Sequence, residues 1–107
     1  SFMKQVLSKD NIFLNEQAGS KEEAIKKAGE VLVANGYVTS DYVDKMFERE
    51  EISSTFMGNG IAIPHGTEDA KAAVLHSGIS IIQIPDGVEY GEGNLAKVVF
   101  GIAGKNN

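Results

Sequence analysis

A chain of 107 residues, 42% hydrophobic and 23% charged, carries apolar material for one core and is too short for two ordinary domains. Its formal charge is -5 and its lysines are scattered, with only Lys26 and Lys27 adjacent, so no basic stripe points to nucleic acid or anionic lipid; a basic protein partner would suit the balance better. The chain has no cysteine, hence no disulfide framework and no thiol nucleophile, and neither a signal pattern nor a run near the ~18 apolar residues of a membrane span, so a cytoplasmic protein without membrane insertion is expected.

Val6, Leu7, Ile12, Phe13 and Leu14 make a short apolar opening, broken by Ser8-Lys9-Asp10-Asn11, that reads equally as strand or loop. Ser20 stands three residues before Glu23, the spacing of a capping box. Ala24, Ile25, Ala28, Val31 and Leu32 follow on one face of a helix that Gly36 should stop. Thr39-Ser40-Asp41 can cap a second helix, with Tyr42, Val43, Met46 and Phe47 as its buried stripe and Arg49 near its C-terminal carbonyls. Ser53, Ser54 and Thr55 form a hydroxyl-rich loop.

Next comes Gly58-Asn59-Gly60-Ile61-Ala62-Ile63-Pro64-His65-Gly66, a glycine turn feeding a brief strand that stops at Pro64. His65 is thereby set between a rigid neighbour and a permissive one. Thr67 can cap a short segment from Glu68 to Ala73. Ile79 to Ile84 is strand-prone and is expected to end at Pro85 and an Asp86-Gly87 turn, with Val88-Glu89-Tyr90 returning; Ala96 to Ala103 is a further strand. The pattern predicts an α/β fold, two helices on a mixed sheet. A sheet with helices over only part of its surface would leave apolar side chains open, which leads to the expectation of a fragment incomplete at its C-terminus, or of self-association.

Local chemistry leaves His65 open between a functional and a structural role. His65, Glu68 and Asp69 lack a third ligand, and His76 has no spacing that completes a metal site. No serine sits in a G-x-S-x-G elbow, and the glycines form neither a Walker A loop nor a dinucleotide fingerprint, so no cofactor is expected. Histidine as a nucleophile toward phosphorus remains. Such a site needs one aimed ring nitrogen and donors for the phosphoryl oxygens. Arg49 offers a multi-donor fork, Ser54 and Thr55 offer hydroxyls, and the backbone amides of Gly66 and Thr67 offer an anion nest.

Several blocks resemble the mannitol/fructitol-type EIIA domain of the bacterial phosphoenolpyruvate-dependent sugar phosphotransferase system: Lys21 to Gly29, Gly36 to Thr39, Arg49-Glu50, Gly58 to Gly66, Ser77 to Ile79, Pro85 to Val88 and Val99 to Asn107. The GIAGKNN ending is more similar to the mannitol branch than to the nitrogen-regulatory one. The resemblance implies a mixed sheet flanked by helices. It also implies phosphoryl transfer from phospho-HPr to His65 and on to a cysteine of mannitol EIIB, with Arg49 as anion stabiliser; His76 matches no catalytic position. Family domains run past the segment matching Gly104 to Asn107 to a second active-site histidine. Residues 1–107 are therefore expected to be one C-terminally truncated EIIA domain, with Ser1 and Phe2 as an expression remnant. The other reading that the resemblance leaves is a phosphorylation-sensing regulatory or interaction module of the same fold.

Overall fold

In the computed structural model, residues 4–105 are described. The expectations placed on Ser1, Phe2, Asn106 and Asn107 lie outside the described residues. Ser20 caps the first helix, α1 (Lys21–Ala34), by accepting the Glu23 amide at 3.1 Å. The Glu23 carboxylate reaches back in turn, to the amide of Gly19 at 2.9 Å, one residue earlier than a reciprocal box would have it. At the other end Gly36 has φ +82°, and the amides of Gly36 and Tyr37 close on the carbonyls of Val33 and Leu32 at 3.1 and 2.9 Å. This is the left-handed cap that glycine favours.

The second helix, α2 (Asp41–Ile52), starts without help from the Ser40 side chain; the carbonyls of Thr39 and Ser40 take the first amides instead. Tyr42 and Met46 are buried as expected, and so is Glu50, a charged residue one turn further along the same stripe.

Five strands form one mixed sheet: β1 (Ile12–Phe13), β2 (Phe56–Gly58), β3 (Ile61–Ala62), β4 (Gly78–Glu89) and β5 (Leu95–Ala103), in spatial order β1-β4-β5-β3-β2. The β1–β4 and β3–β5 pairs are parallel, and the β4–β5 and β2–β3 pairs antiparallel. The ambiguous opening segment thus contributes only a two-residue edge strand.

Pro85 does not end its strand. β4 runs through Pro85-Asp86-Gly87 to Glu89, and the pairing with β5 slips between Gln83 and Val88. A bulge accommodates a residue with no amide to donate, so the expected turn moves to Gly91–Asn94, where the Tyr90 amide donates to the Asn94 carbonyl at 2.7 Å.

On one face of the sheet, Gly78, Ser80, Ile82 and Ile84 of β4 and Val99, Gly101 and Ala103 of β5 are buried. Helix α1 lies on this face: the Ser80 hydroxyl donates to the Ala28 carbonyl at 2.8 Å, and a Cβ at Gly101 would stand 3.0 Å from that of Ala28. Helix α2 packs on α1 where Gly29 leaves room for Met46. Ile79, Ile81, Val98, Phe100 and Ile102 alternate onto the opposite face and are half-buried. Helices flanking a mixed sheet is the architecture the sequence predicts.

Candidate functional site

The segment carrying His65 leaves the end of β3 and is tied to its neighbours on both sides. The Ile63 amide donates to the Thr55 carbonyl at 3.0 Å, and the Ile102 amide of β5 donates to the Pro64 carbonyl at 3.0 Å. His65 is therefore opposite Ile102 in a parallel bridge, just beyond the regular strand. Its ring is half-exposed, and Nδ1 lies 2.8 Å from the carbonyl oxygen of Ile63. A carbonyl can only accept, so Nδ1 carries the hydrogen in that contact. In the neutral ring the lone pair is then on Nε2, the nitrogen turned from its own backbone.

A cavity of about 400 Å³ opens beside this ring, lined by His65, Arg49, Gly66, Thr67, Glu68 and Lys71. Tyr42 and Ile102 are also in its wall. Arg49 comes from the last turn of α2, and its Nη1 donates to the Ser53 carbonyl at 2.9 Å and to the Ser53 hydroxyl at 3.3 Å. That contact holds the guanidinium at the helix end, as the sequence suggests, and leaves its other donors for the cavity. Among the described residues Arg49 makes no ion pair with the glutamates around it.

Gly66 and Thr67 line the cavity, and of their two backbone amides that of Gly66 is already engaged. The Gly66 amide donates to the Tyr42 hydroxyl at 2.9 Å, and the Thr67 hydroxyl donates to the Asp69 carboxylate. Thr67 and Lys45 hold the Asp69 carboxyl below its ordinary value.

Ser54 and Thr55 are not in this cavity. Ser54 is exposed and its hydroxyl accepts the Phe56 amide at 3.1 Å. Thr55 is buried, and its hydroxyl donates to Glu50 Oε1 at 2.6 Å beside the Tyr90 hydroxyl at 2.9 Å. The hydroxyl-rich loop thus braces the fold, where the sequence suggests donors to an anion.

Tyr42 and Lys71 are wall residues with no place among the expected site residues. Tyr42 reads from the sequence as core, and its ring is indeed only 4% exposed, but its hydroxyl reaches the site. Burial raises its pKa, opposed by the Gly66 amide, so the phenol stays protonated. Lys71 is exposed on the 3-10 helix Glu68–Ala73 and lines the same cavity as His65. Thr67 does not cap this segment with its side chain, as the sequence suggests it could; its carbonyl takes the Ala70 amide at 3.1 Å while its hydroxyl goes to Asp69. A lysine six residues after the histidine is the signal that was available.

His76 is exposed outside the cavity, in the bend before β4. Among the described residues no group of three His, Cys, Asp or Glu side chains gathers as metal ligands would, and no helix is long and apolar enough to cross a membrane.

The arrangement is therefore a half-exposed imidazole with one outward lone pair, beside a cavity whose charged lining residues are Arg49, Lys71 and Glu68. Comparison with known proteins agrees in kind. A family model described as "Phosphoenolpyruvate-dependent sugar phosphotransferase system, EIIA 2" matches residues 5–107. The mannitol-specific phosphotransferase enzyme IIA component of Bacillus subtilis (strain 168) is 79% identical over 103 residues, which are 96% of this chain and 72% of the relative. Enzyme IIAMTL in its complex with phosphorylated enzyme IIBMTL from Escherichia coli has a TM-score of 0.91 at 48% identity, covering 94% of this chain and 72% of that one. The crystal structure of IIA mannitol from Escherichia coli gives 0.90 at 48% identity, covering 94% and 73%.

Proposed function

This chain belongs to the EIIA 2 family of the phosphoenolpyruvate-dependent sugar phosphotransferase system, and from that premise we propose that His65 is a phosphoryl carrier in mannitol uptake. The observation that carries the reading is the 2.8 Å contact between His65 Nδ1 and the Ile63 carbonyl, which leaves Nε2 as the free nucleophile.

The Nε2 lone pair attacks phosphorus of phospho-HPr; the new N–P bond forms as the bond to the donor's histidine nitrogen breaks, and the donor imidazole leaves with that electron pair. Nδ1 keeps its hydrogen on Ile63 throughout. Arg49 and Lys71 offset charge on the equatorial oxygens, which strengthens in a cavity partly shielded from water. In the second step a cysteine thiolate of mannitol EIIB attacks the same phosphorus, an S–P bond forms, the N–P bond breaks, and neutral His65 is restored. No metal or cofactor takes part, and sugar binds on another component. Both partners being cytoplasmic in this scheme, the domain works there.

The test is incubation with phosphoenolpyruvate, enzyme I and HPr, read by intact mass. One phosphoryl group should be added, and His65→Ala should abolish it; a His65→Ala chain that is still labelled would remove the assignment. Passage of the label to an EIIB cysteine tests the second step.

A further inference from the structure

Tyr42 stands on the first turn of α2, 24 residues before Gly66 and 60 before Ile102, yet one hydroxyl joins all three. It donates to the Ile102 carbonyl at 2.8 Å and accepts the Gly66 amide at 2.9 Å. In a regular parallel ladder the residue after a bridging position donates directly to the carbonyl across from it. Here the first half of the bridge is direct, from the Ile102 amide to the Pro64 carbonyl, whereas the second half passes through the phenol oxygen. The backbone is therefore pinned before and after His65, with a one-oxygen spacer on the Gly66 side.

The ring cannot swing away. It is buried, and it fills the place beside Gly66 so closely that a Cβ there would meet Cε1 at 2.6 Å and Cζ at 2.9 Å. The contact between His65 Nδ1 and the Ile63 carbonyl spans only two residues, so it survives only while the chain from Ile63 to Gly66 keeps this bend.

We propose that Tyr42 is a positioning residue of the phosphoryl site: its hydroxyl, relaying Gly66 to Ile102, fixes the loop that holds His65 in the Nδ1–H tautomer with Nε2 outward. The proposal rests on the reading of His65 as phosphoryl acceptor. Tyr42 does not itself touch the transferred group; both of its polar contacts are already made to backbone. It also keeps the Gly66 amide engaged, which removes that amide from the donors facing the phosphoryl oxygens.

Tyr42→Phe keeps the ring and removes only the relay. In single-turnover phosphorylation by phospho-HPr its maximal rate should fall about tenfold to a hundredfold, the scale of a misaligned reacting group, while the phospho-HPr concentration for half-maximal rate changes less than threefold or so. Long-range proton–nitrogen NMR of the His65 ring should change from a single Nδ1–H pattern to an averaged one. A variant with the wild-type maximal rate and ring pattern overturns the proposal. Amide exchange in the unmodified chain serves as a second measurement if the variant does not fold: Gly66 should be protected as the β5 amides are, and rapid exchange there overturns it equally. If instead His65→Ala still accepts phosphate, the functional reading falls, whereas the ring pattern and Gly66 protection still report on the relay.

Discussion

Glu50 and Thr55 form a closed ring of two hydrogen bonds: the Thr55 amide donates to Oε2 at 2.8 Å and its hydroxyl donates to Oε1 at 2.6 Å. Lys21, the first residue of α1, places its ammonium 3.0 Å from the same Oε2 and 4.8 Å above the Tyr90 ring. The Tyr90 hydroxyl, from the residue just past β4, closes the cluster from Thr55 at 2.9 Å and Glu50 at 3.4 Å. A charged group only 8% exposed is tolerated because its lone pairs are occupied and a cation lies alongside. The cluster anchors the loop after α2, and Ser53 in that loop is what Arg49 grips. The strength of this brace should therefore be felt at the proposed phosphoryl site.

Stability should depend on pH through Glu50. Burial alone would raise its carboxyl, but the two bonds from Thr55 and the charge and hydrogen bond of Lys21 outweigh that and hold it below the ordinary 4.5. A depressed folded value gives stabilisation that is present above the unfolded value and is lost as pH falls through the folded one. Urea unfolding at a series of pH values should show the free energy declining below about pH 5. Glu50→Gln should cost about 2 kcal/mol at neutral pH, the worth of a hydrogen bond to a charged group, and should flatten the acid limb. An unchanged acid limb in the variant would assign the dependence to other carboxylates.

Arg49 should matter to transfer far more than to folding. One of its terminal nitrogens is committed to Ser53, so truncation removes a helix-end contact worth about 1 kcal/mol together with the remaining donors. Arg49→Ala is expected to slow phosphorylation of His65 by about 10²–10³-fold, as loss of a preorganised oxyanion donor does. Arg49→Lys should recover only part of this, because an ammonium keeps the charge but lacks the planar fork whose separate nitrogens serve Ser53 and the phosphoryl oxygens. Initial rates of label uptake, with thermal unfolding in parallel, separate the two effects; a rate loss that merely tracks unfolding would reduce Arg49 to a helix cap.

Reading the sequence recovers what neighbouring residues decide. The apolar face of α1, its Ser20 cap and its Gly36 stop are all local, and each is where its pattern puts it. The backbone setting of His65 is likewise legible, since Pro64 and Gly66 are its own neighbours, whereas local chemistry leaves its role open between functional and structural. Thr55 was not: nothing in Ser53-Ser54-Thr55 announces that Tyr90, 35 residues on, will bury it against Glu50. Tyr42 has the same difficulty, because an aromatic on a buried stripe looks like packing until its hydroxyl's partners are known. Pro85 is a third kind of case. Its own chemistry favours a stop, and only pairing of Val88 and Glu89 with Ala96 and Leu95 carries the strand past it.

Gly66→Ala tests the space beside the histidine. The added Cβ would be 2.6 Å from Tyr42 Cε1, so either the ring or the loop must yield. Overpacking of this sort costs about 1–3 kcal/mol. Whichever part moves, the amide-to-phenol bond lengthens, and phosphorylation should slow along with the loss in melting temperature. Gly58→Ala offers a contrast: φ is +93° there and a Cβ would have nothing within 4 Å, so the strain is in the backbone and away from the site. It should lower stability while leaving the maximal rate close to that of the unmodified chain.

The same close packing that sets β5 under α1 also predicts a non-additive pair. A Cβ at Gly101 would meet the Ser80 hydroxyl oxygen at 2.5 Å, then Ala28 Cβ at 3.0 Å. Gly101→Ala alone should therefore destabilise the fold by about 2–3 kcal/mol, since the serine is bonded to the Ala28 carbonyl and cannot turn away freely. Ser80→Ala alone should cost about 1 kcal/mol for the lost hydrogen bond, its carbonyl partner keeping an acceptor role within the helix. Combined, the two changes remove the shortest contact, and the loss in chemical unfolding should fall short of the sum by about 1 kcal/mol. Strict additivity would mean that the Ala28 contact, not Ser80, limits the approach of α1 to the strand that carries Ile102.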